Sequence, residues 1–227
     1  MLLPPSCPAC GALGRAPCEA CAAALERAPA LPSPAGVDRC LAVLAYDGVG
    51  RELVARLKYR NARSAVPYLA GAMAALAAGQ AADVVTWVPT TPARRRSRGF
   101  DQAQLLAAAV ARRLRRPCRP LLRRVAGPAQ TGRTLAERRT GPAFAPRRRA
   151  RAAVPARVLL VDDVVTSGAT LTAAARALRA AGALEVHAVV AARTPARRAS
   201  AAGVHSGQAE LGPRNAAEPG PPASRRG

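Results

Sequence analysis

The stretch from Val158 to Leu171 reads VLLVDDVVTSGATL and concentrates more chemistry than any other part of the chain. Its four opening apolar residues, Val158 to Val161, suit a central parallel strand with no exposed face. Asp162 and Asp163 follow at the C-terminal edge of that strand, where open α/β sheets bind ligands. A short loop, Thr166-Ser167-Gly168-Ala169-Thr170, then opens a helix. Gly168 lets the backbone come close to a phosphate. The free N–H groups of the first helical turn, the positive end of its dipole, and the hydroxyls of Thr166, Ser167 and Thr170 can all donate to that phosphate. The two carboxylates suit a neutral polyol instead, accepting hydrogen bonds from ribose 2′- and 3′-hydroxyls. Together these groups fit a sugar that carries a 5′-phosphate. A response-regulator-like strand also bears acids at its tip, but it lacks the T-S-G-A-T loop directly after them.

A second constellation lies near the N-terminus. Cys7-x2-Cys10 and Cys18-x2-Cys21 form two knuckles separated by Gly11 to Pro17. Each knuckle can present two thiolates to one tetrahedral ion, and the glycines permit tight turns. Zinc is the natural choice for four sulfurs, and four protein ligands leave no open position, so the role is structural. A disulfide or redox pair is disfavoured in a reducing compartment. Cys40 and Cys118 lie beside apolar runs and read as buried thiols. His187 and His205 have no neighbour that would make either a catalytic base.

These groups need a scaffold. Cys40 to Tyr46 predicts a short strand ending at the Asp47-Gly48 turn, after which Val49, Leu53, Val54 and Leu57 share a helical face. Asp83 to Val88 predicts a strand stopped by Pro89, followed by a basic loop through Arg94, Arg95, Arg96 and Arg98. Asp101 can cap a helix whose Leu105, Leu106, Ala109, Val110 and Leu114 align. Arg157 to Val161 predicts a buried strand, Leu171 to Ala181 a helix closed by Gly182, and Leu184 to Ala192 another strand. Alternation of this kind implies an α/β domain, a mostly parallel sheet flanked by helices. Residues 1–36 read as a small four-cysteine, zinc-ribbon-like module plus a Pro/Ala linker, residues 37–195 as the α/β domain, and 196–227 as a disordered tail.

The net charge of +22 at first suggests a nucleic-acid binder. Lys58 is the sole lysine, however, and the dominance of Ala, Arg, Pro and Gly is what a GC-rich genome produces, so the charge permits polyanion binding without diagnosing it. The scarce aromatic residues argue against a single-strand binder built on stacking platforms. Lys58 itself has two readings, a snorkelling side chain or a compact ammonium kept for a phosphate. The alanine-rich window from Ala65 to Ala82 is broken by Pro67, Gly71 and Gln80 and does not predict a membrane span. The first residues lack the pattern of a secretory signal, which points to a cytoplasmic protein. There is no Walker A loop, dinucleotide glycine fingerprint or Ser-His-Asp set.

The motif from Val158 to Thr170 resembles the phosphoribosyl pyrophosphate (PRPP) signature of type I phosphoribosyltransferases at every defining position. More narrowly, residues 7 to about 195 resemble the ComF/GntX group, which joins a cysteine module to a phosphoribosyltransferase-like domain and is linked to DNA uptake and utilisation. The likeness includes the paired cysteines, Leu57-Lys58-Tyr59, Val88-Pro89, Arg94 to Gln102 (RRRSRGFDQ) and Gln130-Thr131-Gly132. Two departures stand out: Asp101 replaces an asparagine, and the segment from Arg138 to Phe144 is shorter and lacks an Asn-Val pair. The resemblance implies a type I phosphoribosyltransferase fold. It further implies PRPP or another ribose 5-phosphate ligand held by Asp162, Asp163, Thr166, Ser167, Gly168, Ala169 and Thr170. Arg98 would sit toward the pyrophosphate, Lys58 would be a further PRPP-binding residue, and Mg²⁺ would accompany PRPP. Asp162 and Asp163 would be the catalytic pair in transfer of a phosphoribosyl group to an unknown acceptor. The alternative it leaves open is a non-catalytic DNA-handling protein that binds single-stranded DNA and DNA-uptake partners through its basic surface and zinc module.

Overall fold

The computed structural model describes residues 6–58, 60–125, 142–147 and 154–195. Its centre is a sheet of four parallel strands in the order β1 (Arg39–Ala45), β6 (Glu185–Arg193), β5 (Arg157–Val165) and β2 (Val84–Trp87). The run Val158 to Val161 is fully buried between β2 and β6, as an all-apolar strand must be when both faces are covered. Leu159 and Val161 point into one core with Val85, Leu106 and Leu69, whereas Val158 and Leu160 point into the other with Val84, Leu171 and Leu178. Helices α3 (Val66–Ala77) and α5 (Gln102–Leu114) cover the first face, and α6 (Ala169–Arg179) covers the second. The α/β fold expected from the alternation of elements is therefore present, with parallel strands between helical layers.

Local signals fix the helix starts. The Asp47 carboxylate accepts from the Gly48 N–H at 2.8 Å and begins α2 (Gly48–Ala55). Asp101 caps α5, taking the Gln104 N–H at 3.4 Å. The predicted basic loop is a correction: Pro92–Arg98 forms a short helix, α4, with Thr91 Oγ1 accepting from the Arg94 N–H and Gly99 closing it at φ +76°. Thr-Pro at its start and Gly at its end are proper helix boundaries. A second difference is that β5 continues beyond Val161 to Val165, so the two acids lie within the hydrogen-bonded strand, Asp162 opposite Val190. A third is an antiparallel pair, β3 (Leu122–Arg124) and β4 (Phe144–Pro146), that periodicity did not foretell because each strand has only three residues.

The N-terminal segment begins with a Cys-rich turn and the short helix α1 (Glu19–Ala23). It then runs along β1, where the Ala28 N–H donates to Val43 O and the Ala45 N–H to Glu26 O. Farther on, Arg193 donates to Leu31 O at 2.8 Å, the Cys40 N–H to Ser33 Oγ at 2.9 Å, and Arg179 to Gly36 O and to the Asp38 carboxylate. The Pro/Ala stretch is thus tied to the sheet at several points. Among the described residues, no helix is long and apolar enough to cross a membrane. The expectations for Tyr59, Gln130 to Gly132, Arg138 to Gly141 and the tail 196–227 fall outside the described residues.

Candidate functional site

A cleft of about 360 Å³ opens at the C-terminal ends of β5 and β2. Open parallel sheets bind ligands in the crevice outside the C-terminal ends of their strands. One wall comes from β5 and its loop: Asp162, Asp163, Val164, Thr166 and Thr170. The other comes from the segment after β2 and the start of α5: Val88, Pro89, Thr90, Arg94, Arg98, Asp101, Gln102 and Ala103. Tyr46, just past β1, and Arg124, on β3, complete the lining.

Each acid is held by the residue after it. The Asp163 N–H donates to Asp162 Oδ1 at 2.9 Å, and the Val164 N–H to Asp163 Oδ1 at 2.8 Å. Asp162 is buried, 8 % exposed, and burial together with the neighbouring Asp163 charge raises its carboxyl well above the usual range. Asp101 is also buried and raised, first by desolvation, with the Asp163 charge adding to it. Its two oxygens accept from the Thr90 N–H at 2.9 Å and the Gln104 N–H at 3.4 Å, so it joins the strand-end loop to the start of α5. Gly168 sits at φ +77° before α6, a conformation that admits glycine with least strain. The Thr172 N–H returns to Gly168 O at 2.9 Å, which begins the helix and leaves its first N–H groups toward the cleft end of β5.

Of the residues the sequence singled out, Asp162, Asp163, Thr166, Thr170 and Arg98 line one cleft, while Ser167, Gly168 and Ala169 form the turn between the two threonines. Lys58 ends the 3-10 turn Arg56–Lys58, and its side chain lies outside the described residues. Arg98 is half-buried and donates to Gln102 Oε1 at 3.1 Å. The sequence reading missed Arg124, Gln102 and Tyr46 as lining residues. Nothing distinguished Arg124 from the many other arginines, because its place depends on a strand pairing distant in sequence. Gln102 carried a weak signal, since it ends the RRRSRGFDQ run.

The four N-terminal cysteines meet in a separate cluster. All four Sγ atoms lie within 4.8 Å of one another, with Cys10 and Cys18 sulfurs 3.6 Å apart. A tetrahedral ion with sulfurs at ~2.3 Å needs sulfur–sulfur spacings of ~3.8 Å, so the residues fit a metal ion such as zinc. The Cys7 N–H donates to Ala12 O and the Gly11 N–H to Cys7 O, which closes the first knuckle with Gly11 at φ +83°. Burial works to raise the Cys7 thiol, but backbone N–H groups at Cys18, Cys10 and Ala9 outweigh it and bring the value down to about 6. Hydrogen bonding of the Cys21 S–H to the Cys10 and Cys18 sulfurs favours the protonated thiol and pushes Cys21 up to about 12. Four clustered sulfurs cannot all be thiolates without a cation, which is the electrostatic demand a metal ion answers. Cys40 and Cys118 are part-buried, and burial raises both thiols.

Three solved structures are similar to this chain. One is an allosteric regulatory enzyme of purine biosynthesis, at 27% identity over 57% of this chain and 26% of its own, with a TM-score of 0.41. Another is the glutamine PRPP amidotransferase from B. subtilis, at 29% identity with the same coverage and TM-score. The third is a purine phosphoribosyltransferase from Pyrococcus horikoshii Ot3, at 18% identity over 57% of this chain and 82% of its own, with a TM-score of 0.38. The chain thus spans about a quarter of the length of the first two. No curated protein matches it. Residues 105–203, which carry Arg124, both acids and the loop into α6, match the family described as the phosphoribosyl transferase domain, and over that span the chain is similar to it.

Proposed function

We propose that this protein binds PRPP in the cleft and transfers its phosphoribosyl group to a nitrogen nucleophile, as a ComF/GntX-type member of the wider phosphoribosyltransferase class. The observation that carries the reading is the pairing of two chemistries in one cleft, Asp162 and Asp163 beside a helix start on one wall and Arg94 and Arg98 on the other. In this reading Asp162 and Asp163 accept hydrogen bonds from the ribose hydroxyls. Thr166 to Thr170 and the N-terminus of α6 take the 5′-phosphate. Arg98 and its neighbours take the pyrophosphate, with guanidinium forks matched to its oxygens.

The reaction breaks the bond from C1 to the pyrophosphate oxygen, and the electron pair leaves with pyrophosphate. The nitrogen lone pair then forms the new bond to C1 and the nitrogen gives up its proton. Positive charge develops at the ribose ring on the way, close to the Asp162 and Asp163 carboxylates, so their fixed position lowers the barrier electrostatically. Mg²⁺ bound with PRPP would supply neutralising charge for the pyrophosphate, and Asp162 and Asp163 are the carboxylates that would hold it. Zinc would be held by Cys7, Cys10, Cys18 and Cys21 and would stabilise the N-terminal segment without touching the reaction.

Calorimetric titration with PRPP and Mg²⁺ tests this reading, run beside the Asp162→Asn plus Asp163→Asn variant. Saturable binding that the variant loses is the expected result, and a wild-type protein that binds no PRPP would sink it. Retained binding of single-stranded DNA that weakens steeply with salt in both proteins would instead favour the DNA-handling alternative, for which the charge of +22 is the motive.

A further inference from the structure

The N-terminal segment leaves the four-cysteine cluster through α1 and joins the outer edge of β1. Leu25 packs against the core that α3 and α5 cover. Arg27 bridges Leu44 in the antiparallel sense, the Ala28 N–H donates to Val43 O at 3.1 Å, and the Ala45 N–H donates to Glu26 O at 3.0 Å. This pairing ends one residue before Tyr46, which lines the cleft. From Ala28 to Gly36 the chain reads APALPSPAG, with Pro29, Pro32 and Pro34 close together. Proline fixes φ and favours extended chain, so such a segment is stiff over several residues. It is also fastened along its length. Arg193, 3 % exposed, donates to Leu31 O at 2.8 Å, the Cys40 N–H to Ser33 Oγ at 2.9 Å, and Arg179 of α6 to Gly36 O at 2.9 Å.

Between these fastenings Pro34 meets the loop that opens α6. Its Cγ and Cβ lie 2.8 and 3.0 Å from the point a Cβ on Gly168 would occupy, and Gly168 is buried there. Pro34 is not among the cleft-lining side chains, whereas Thr166 and Thr170, on either side of Gly168, are. Among the described residues the hydrogen bonds of this loop run within it and into α6, from the Ala169 N–H to Ser167 Oγ at 3.5 Å and from the Thr172 N–H to Gly168 O at 2.9 Å. The Pro34 ring is therefore what ties the loop to the N-terminal segment, and it bears on the loop from outside the cleft.

We propose that residues 25–36 are a brace between the four-cysteine cluster and this loop, so that metal loading at the cysteines and phosphate binding at Thr166 to Thr170 strengthen each other, with Pro34 as the positioning residue. The proposal rests on the reading that this loop takes the 5′-phosphate. A four-sulfur site orders its own segment when it is loaded, and a stiff segment carries that order on to Pro34 where a flexible one would absorb it. A loop that the brace already holds gives up less conformational freedom when the phosphate arrives, which is positive cooperativity. Linkage then requires the phosphate to tighten the metal by the same factor.

The experiment uses the full-length protein in two forms, zinc-loaded and chelator-treated under reducing conditions. Ribose 5-phosphate is titrated calorimetrically into both, and zinc affinity is measured by competition with a chelating indicator, with and without saturating ribose 5-phosphate. The loaded form should bind ribose 5-phosphate about tenfold more tightly, and ribose 5-phosphate should tighten zinc by the same factor. Pro34→Gly should bring both couplings below about twofold while still binding zinc, and Pro34→Val, which keeps an apolar body against Gly168, should retain most of them. Amide hydrogen exchange separates a brace from general loosening: chelation should speed exchange at Ala169 to Thr172 about tenfold or more and leave Val158 to Val161 unchanged. Ribose 5-phosphate affinity within about twofold in the two forms overturns the brace, as does coupling that persists in Pro34→Gly or faster exchange shared equally by Val158 to Val161. Should Pro34→Gly fail to fold, the exchange comparison on wild type decides alone. A loaded wild type that binds no ribose 5-phosphate overturns the phosphate reading of the loop instead, and unchanged exchange at Ala169 to Thr172 on chelation overturns the brace in that case as well.

Discussion

Replacing Gly168 by alanine should damage the protein through two separable effects. A Cβ built on Gly168 would lie 2.8 Å from Pro34 Cγ and 3.0 Å from Pro34 Cβ, well inside contact distance with a ring that has no flexible end to move aside. The same residue sits at φ +77°, where an L side chain costs about 1–2 kcal/mol. Overpacking a tight contact adds about 1–3 kcal/mol, so Gly168→Ala should cost about 2–5 kcal/mol in all. For a chain of this size that is a fall in Tm of roughly 4–20 °C. The assay is thermal and urea denaturation of wild type, Gly168→Ala, Pro34→Ala and the double variant. Removing the proline ring relieves the clash but not the backbone strain, so the double variant should recover the overpacking part, about 1–3 kcal/mol, relative to the sum of the singles. Stability of Gly168→Ala within about 0.5 kcal/mol of wild type, a margin ordinary for surface changes, would refute the strain argument. Strict additivity in the double variant would refute the contact with Pro34 and with it the seat of the N-terminal segment against the loop.

Asp162 should trade stability for function. Its folded-state carboxyl is raised by burial and by Asp163, so it destabilises the native state increasingly as pH rises from about 4, the value in the unfolded chain, through the folded value. Asp162→Asn should therefore melt higher than wild type at pH 8, with the difference shrinking toward pH 4, while losing PRPP binding. At Asp101, alanine should cost about 1 kcal/mol in urea denaturation through loss of the α5 cap, whereas asparagine, an equally good cap, should cost little or stabilise at neutral pH. Arg193→Met should cost about 1–3 kcal/mol in urea denaturation, because it leaves the Leu31 and Cys40 carbonyls without their buried donor. Chelation should release one metal ion per chain, measured by elemental analysis, and expose the segment between Cys7 and Ala28 to limited proteolysis. Cys10→Ser should reproduce both effects.

Much of the scaffold was legible before any coordinates. An apolar run with no polar residue admits only a doubly covered strand, so Val158 to Val161 declared the centre of the sheet. Asp47 and Asp101 announced helix starts because a short carboxylate side chain satisfies an orphan N–H locally, whatever the rest of the chain does. The cysteine knuckles were legible because ligand spacing within each turn is a local matter. Even α4 carried its signals in Thr91-Pro92 and Gly99, and the run of arginines obscured them.

What sequence could not decide are the relations between segments with no local trace. Arg124 joins the cleft only because β3 pairs with β4 across the intervening chain and places that side chain at the cleft. Nothing about Arg124 differs chemically from its neighbour Arg123, and strand alternation alone separates the two. The Pro/Ala stretch reads as a linker by composition, yet Arg193 and Arg179 donate to its carbonyls and Pro34 packs on Gly168. Composition measures what a segment would do without partners. The tertiary structure supplies the donors and surfaces that fix where it lies, and those come from residues more than a hundred positions away.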